Sequence, residues 1–200
     1  SYFKNVVNSN AIDGQRKNDG YLRLGDSYFV TSKYQLAQKA YDASSKMNGP
    51  ERDYAAFQKT LCDGFLGNNS AKIDGLNEFL TMYPSSSLRD DVLFELGNSY
   101  INNNQESLGL QTYDRIVDEF SGSKFAPRGL LRSGLVYYNS SRNEQALDKL
   151  KEVVQKYPST QEAKQAVATA SKKEKAAEGV LEDAQKESEA IDCSVLSSND

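Results

Sequence analysis

Apolar and polar residues recur along the chain with the period of a helix, and they do so in repeated blocks. YLRLGDSYF at 21–29 returns as LFELGNSYI at 93–101 and as LLRSGLVYY at 130–138. Each phrase carries Gly fifth and Tyr eighth: Gly25 and Tyr28, Gly97 and Tyr100, Gly134 and Tyr137. A second phrase follows at a fixed distance, IDGLNEFLTMYP to Pro84, LQTYDRIVDEFS to Ser121 and LDKLKEVVQKYP to Pro158. Within these, Leu76/Phe79/Tyr83, Tyr113/Ile116/Phe120 and Leu150/Val153/Tyr157 share the i, i+3, i+7 spacing of one helix face. The first copy, LAQKAYDASSKMNGP, places Ala37 and Tyr41 on a comparable face and stops at Gly49-Pro50.

Each unit therefore reads as helix, short turn, helix, then a Pro- or Gly-marked stop. Proline just beyond a helix cannot continue it, and the Ser that follows (Ser85, Ser159) can cap the next one. Gly97 to Gly134 is 37 residues, and Gly25 to Gly97 is 72, two periods of 36. The missing copy falls around YAAFQKTLCDGF, 54–65, where Phe57, Leu61 and Phe65 keep helical spacing but no Gly occupies the slot. Its register is ambiguous. Four units follow, approximately 18–50, 51–86, 87–122 and 123–159. A mid-helix Gly costs roughly 1 kcal/mol against Ala, so its recurrence implies that another helix approaches the backbone. Ala37, Gly109 and Ala146, each 12 residues after a phrase Gly, are the small residues expected across that contact.

This pattern resembles the tetratricopeptide repeat family, which writes a large residue, Leu-Gly and Tyr on its first helix, then Ala, an aromatic and a closing Pro on its second. Tyr21, Leu24, Gly25, Tyr28, Ala37 and Tyr41 match in the first unit. Leu93, Leu96, Gly97, Tyr100, Gly109 and Tyr113 match in the third, and Leu130, Gly134, Tyr137, Ala146 and Pro158 in the fourth. Departures are Ser133 for the usual Leu, Ser121 for the closing Pro, and nearly the whole first helix of the second unit. The resemblance implies an all-α fold, a right-handed superhelical stack of about four helix-turn-helix hairpins with a C-terminal capping helix. The YP-S endings TMYPSS and QKYPST are similar to those of bacterial periplasmic and outer-membrane-associated members, the Tol-Pal-associated and outer-membrane-assembly lipoprotein types.

Such a stack binds along the concave side lined by its first helices. By register, the groove positions are Leu22, Asp26, Phe29 and Val30 in unit one, Phe94, Asn98 and Ile101 in unit three, and Leu131, Leu135 and Tyr138 in unit four. Chaperone-binding members place a clamp Lys where this chain has Leu22, Phe94 and Leu131, so terminal-carboxylate capture is not expected. An apolar, aromatic groove suits an amphipathic helix or extended peptide. The competing reading is that these residues pack against a neighbouring helix.

The flanks differ in character. Tyr2, Phe3, Val6 and Val7 fit the remnant of an upstream helix within residues 1–17, and the polar NAIDGQRKNDG that follows reads as a loop. Residues 160–191 carry a thin stripe of Val167, Ala170, Ala177, Val180, Ala184 and Ile191, which suits a capping helix or a short coiled-coil seam. Residues 192–200 read as a disordered tail.

Composition narrows the function classes. With no histidine, the commonest general base and zinc ligand are missing. Cys62 and Cys193 have no CxxC spacing, and Cys62 lies in an apolar helical run as a core residue. No phosphate-cradling glycine motif occurs. Asp90-Asp91 fall at a helix start, where they complement the helix dipole. A net charge of −4 disfavours a nucleic-acid surface, and no apolar run reaches membrane-spanning length. No enzyme, cofactor or metal site is expected. The expected function is a protein-protein interaction scaffold in a bacterial cell-envelope complex, with the cytoplasm left open. Alternatives are a glycan- or peptidoglycan-binding repeat or the docking arm of a larger chain, and self-association through an exposed apolar end is possible.

Overall fold

The structure, a computed structural model, describes residues 2–9, 13–47 and 49–172. Among these, helices and turns account for the regular structure and no strand occurs. The chain divides into two compact units, Ser1–Ala126 and Pro127–Asp200.

In the first unit, α1 (Tyr2–Asn8), α2 (Gly14–Val30), α3 (Tyr34–Ser45), α4 (Arg52–Phe65), α5 (Asn69–Met82), α6 (Arg89–Asn102) and α7 (Glu106–Glu119) follow in order. Each helix packs on its sequence neighbours, α1 on α2, α2 on α3, α3 on α4, α4 on α5, α5 on α6 and α6 on α7. α8 (Phe125–Asn139) and α9 (Asn143–Lys156) form the fourth hairpin, and residues 161–172 are again helical. In the second unit Leu130, Ala146, Leu150, Val153, Ala163 and Ala166 are buried, and the Arg128 guanidinium meets Glu162 at 3.2 Å. The part of the expected C-terminal helix beyond 172, Cys193 and the expected tail lie outside the described residues.

The four hairpins share one turn. Residues 31–33, 66–68, 103–105 and 140–142 each separate a first helix from its second. The central residue is left-handed every time: Ser32 (φ 57°), Gly67 (φ 82°), Asn104 (φ 57°) and Ser141 (φ 58°). The next amide reaches back five residues, Lys33 to the Tyr28 carbonyl (2.8 Å), Asn68 to Asp63, Gln105 to Tyr100 and Arg142 to Tyr137 (2.9 Å each). This is the Schellman closure, which satisfies the orphan carbonyls of a helix end. Gly67 meets the φ requirement without a Cβ penalty, whereas the two serines and the asparagine adopt it at a cost.

The shared turn fixes the register of the second repeat. Gly25, Thr60, Gly97 and Gly134 occupy one slot, facing Tyr41, Leu76, Tyr113 and Leu150. A Cβ on Gly25 would lie 2.6 Å from the Tyr41 ring, one on Gly97 2.5 Å from the Tyr113 ring, and one on Gly134 2.9 Å from Leu150 Cδ2. The glycine thus admits the large side chain at the heart of the hairpin, more than the small residue expected opposite it. In the second repeat the arrangement is inverted. Thr60 fills the slot and Gly75 of α5 yields, since a Cβ there would meet Thr60 Oγ1 at 2.7 Å. Gly64 likewise clears a path for the stem of Lys72, whose ammonium reaches Glu95 of α6 at 2.8 Å.

A serine–aspartate bond ties two hairpins to the turns that follow them. Ser86 Oγ donates to Asp53 at 2.6 Å and accepts from the Leu88 amide at 3.1 Å. Ser123 Oγ donates to Asp90 at 2.5 Å and accepts from the Phe125 amide at 3.0 Å. Asp90 and Asp91 do stand in the first turn of α6.

The polar stretch after α1 is not a loop throughout, because α2 begins at Gly14. Asp13 caps it by accepting from the Arg16 amide at 2.9 Å. Asn18 is buried and accepts from Ser44 Oγ at 2.7 Å, while Gly20 lets Val6 and Val7 of α1 approach. The segment lacks an apolar period because small and hydrogen-bonded residues, not large apolar ones, face its neighbours.

Candidate partner-binding surface

The first helices of the three hairpins in the first unit are α2, α4 and α6, and their exposed side chains set what a partner could meet there. Leu22, at the start of this row, is 1% exposed and lies in a cluster with Ala37, Tyr41, Ala55 and Cys62. It presents no surface, because α4 of the next hairpin covers it. Asp26 is partly exposed but fully engaged. Its Oδ1 accepts from the Tyr41 hydroxyl at 2.8 Å and the Tyr54 hydroxyl at 2.9 Å, and Arg23 approaches Oδ2 at 3.6 Å. Burial, then the bond to Asp26, raises the Tyr54 phenol to about 12 and pushes Tyr41 up further.

Asn98 repeats that arrangement, accepting from the Tyr113 hydroxyl at 2.7 Å. The same slot holds Leu61 in the second hairpin and Leu135 in the fourth, where the facing residues are Leu76 and Leu150. An acceptor occurs only where the partner brings a hydroxyl, as the cost of an unpaired buried polar group demands. Phe94 is half-buried between Tyr113 (centroids 6.1 Å) and Phe125 (5.0 Å). Ile101 lies over Gly109 and is half-buried. In the second unit Leu131 is buried, while Leu135 and Tyr138 are half-buried.

One of the sequence-predicted positions, Phe29, does come together with residues outside that set. Phe29 meets Tyr34 edge-on (5.6 Å) and Phe65 edge-on (5.3 Å), and Tyr34 stacks on Phe65 at 4.6 Å and 11°. Phe65 is 57% exposed and Val30, beside Phe29 in sequence, is 79% exposed. Phe65 and Val30 are the last residues of α4 and α2, the same slot of consecutive hairpins. Phe65 keeps helical spacing in the sequence but has no groove position there, because its hairpin has no clear register; the Gly67 turn supplies it.

Reactive chemistry is sparse. Among the described residues no three carboxylate or thiol groups converge as metal ligands, and no helix is long and apolar enough to cross a membrane. Cys62 is a buried free thiol, raised to about 11 by burial and by Asp63. Asp42 is raised by burial but lowered more by Lys46 and Lys59, ending below its ordinary range.

A sequence profile of the tetratricopeptide repeat matches residues 91–123 and 128–160. Similarity searching against curated proteins finds no match. Among solved structures, MamA shares 16% identity, with 77% of this chain and 84% of that chain covered and a TM-score of 0.63. The nearly identical TPR-like repeats of a candidate kinesin light chain from Podospora anserina share 14%, with 86% and 94% covered and a TM-score of 0.62. PilF of Pseudomonas aeruginosa shares 14%, with 84% and 71% covered and a TM-score of 0.58. At these identities the likeness is one of fold.

Proposed function

We propose, from the premise that this chain is a tetratricopeptide-repeat protein, that it is a non-enzymatic scaffold capturing a protein partner on its first-helix surface. The observation that carries this reading is the exposed apolar edge built from Val30, Phe29, Tyr34 and Phe65. Aromatic side chains offer large contact area with few rotatable bonds to freeze, so they suit the anchor of an amphipathic helix or an extended peptide. The rest of the groove row contributes less: Leu22 is covered by α4, and the oxygens of Asp26 and Asn98 are already held by tyrosines. That engagement also weighs against glycan capture, which needs free polar groups beside its aromatic platform.

A cell-envelope complex is the setting we infer, on the TMYPSS and QKYPST endings; fractionation of the source cells tests it. The binding test is a pull-down with the full chain and with Val30→Glu/Phe65→Glu. Both side chains are exposed, so the variant keeps its fold, checked by circular dichroism, and loses its captured proteins. Recovery of the same proteins at undiminished yield would sink the reading.

A further inference from the structure

The second hairpin departs from the others at positions that share one side. Where Tyr21, Leu93 and Leu130 supply the large residue of the first helix, it has Ala56. Where Leu36 and Leu108 stand on the second helix, it has Ala71, and Gly75 replaces Ala40, Thr112 and Lys149. Ala56 and Ala71, with Gly75 giving way to Thr60, line an open groove of about 470 Å3 formed by α3, α4 and α5, with buried Thr60 and Phe79 in its lining. Met82, 59% exposed, stands at the same groove.

The charges of the groove do not cancel. Lys46 and Lys59 on its α3–α4 side are both committed to Asp42, at 2.6 and 3.0 Å. Arg52 donates to the Ser45 carbonyl at 3.1 Å. Asp63 accepts from Gln38 at 2.6 Å. On α5, Asp74 and Glu78 are one turn apart, exposed, and have no hydrogen-bond or ion-pair partner among the described residues. Like charges at this spacing repel, so the helix carries a small penalty that an incoming cation would relieve.

We infer that this groove is a second docking site, distinct from the first-helix surface, for an amphipathic helical segment of a protein partner. The segment inserts one large apolar side chain beside Ala56, in the space its counterparts in the other hairpins fill, and sets lysines or arginines against Asp74 and Glu78. Shape selects the anchor and charge complementarity selects against acidic segments.

The probe is a fluorescein-labelled amphipathic helical peptide with one Phe flanked by a lysine one turn away on each side. Its control has glutamates in place of those lysines. Anisotropy titrations of the full chain should show saturable binding of the lysine peptide, weaker by about tenfold or more for the glutamate peptide. Ala56→Leu, which restores the residue type of the other hairpins, should weaken it by at least about tenfold, as should Asp74→Lys/Glu78→Lys at exposed sites. Val30→Glu/Phe65→Glu should leave it unchanged, so that failure here and failure of the first-helix surface are told apart. Absence of saturable binding, equal affinity for the two peptides, or undiminished binding by Asp74→Lys/Glu78→Lys overturns the inference.

Discussion

The Tyr41 hydroxyl donates to Asp26 Oδ1 across 2.8 Å, joining the two helices of the first hairpin. Tyr54 of the next hairpin shares that oxygen at 2.9 Å, so one carboxylate links two repeats. Its counterpart in the third hairpin is the 2.7 Å bond from the Tyr113 hydroxyl to Asn98.

Removing the hydroxyl alone leaves the carboxylate with one bond fewer in a partly buried site. Tyr41→Phe should therefore destabilise by about 1–2 kcal/mol, and Tyr113→Phe by about 1 kcal/mol because its acceptor is neutral. Asp26→Leu combined with Tyr41→Leu, the pairing used by Leu135 and Leu150, should be less damaging than the two single changes added together. Urea unfolding of the four species of that cycle gives the coupling. A coupling of zero would mean that the hydroxyl–carboxylate bond contributes nothing.

Glycines in the shared slot should differ in sensitivity. A methyl at Gly97 must displace the Tyr113 ring, which is buried and tethered to Asn98, from 2.5 Å. A methyl at Gly134 meets the end of Leu150 at 2.9 Å, a buried aliphatic side chain with no hydrogen bond to break when it shifts. Gly97→Ala should cost about 1–3 kcal/mol despite its better helix propensity, whereas Gly134→Ala should cost less or be neutral. Thermal melts of the two variants check the order.

Alkaline pH should loosen the first unit. Cys62 is ordinarily ionised above about pH 9 but is raised to about 11 in the folded chain. The native state then holds a proton that the unfolded chain releases, so stability is full below about pH 9 and falls as pH rises toward about 11. The loss is on the order of 2 kcal/mol from this thiol. Cys62→Ala should lessen the fall in urea midpoint between about pH 8 and about pH 11, leaving the share of Tyr41 and Tyr54, and a fall of unchanged size would assign it wholly to those phenols.

Much of this architecture is legible from sequence because Gly25, Gly97 and Gly134 recur in phase with the large side chains that cover them, Tyr41, Tyr113 and Leu150. The second hairpin resists such reading for a physical reason. Ala56, Thr60 and Lys72 replace the three residues that mark the others, and their compensations, Gly64 and Gly75, lie at positions where no repeat pattern would look for them. What remains constant is backbone geometry, the left-handed residue at Gly67, which a side-chain pattern records only weakly. The surface was legible in part. Register puts Phe29 and Val30 at the end of the first helix, where α2 carries them, but it could not say that Leu22 clusters with Ala55 and Cys62, since that depends on how the next hairpin packs.

The matched pairs Asp26–Tyr41, Asn98–Tyr113 and Leu135–Leu150 divide the chain into parts that can be exchanged and parts that cannot. A chimaera joined at the loops after Tyr83 or Phe120 transfers each pair intact. One joined at a three-residue turn would set an aspartate against a leucine, or a tyrosine hydroxyl against a methyl group. The hairpin, and not the helix, is therefore the unit in which such a protein could be lengthened, shortened or recombined.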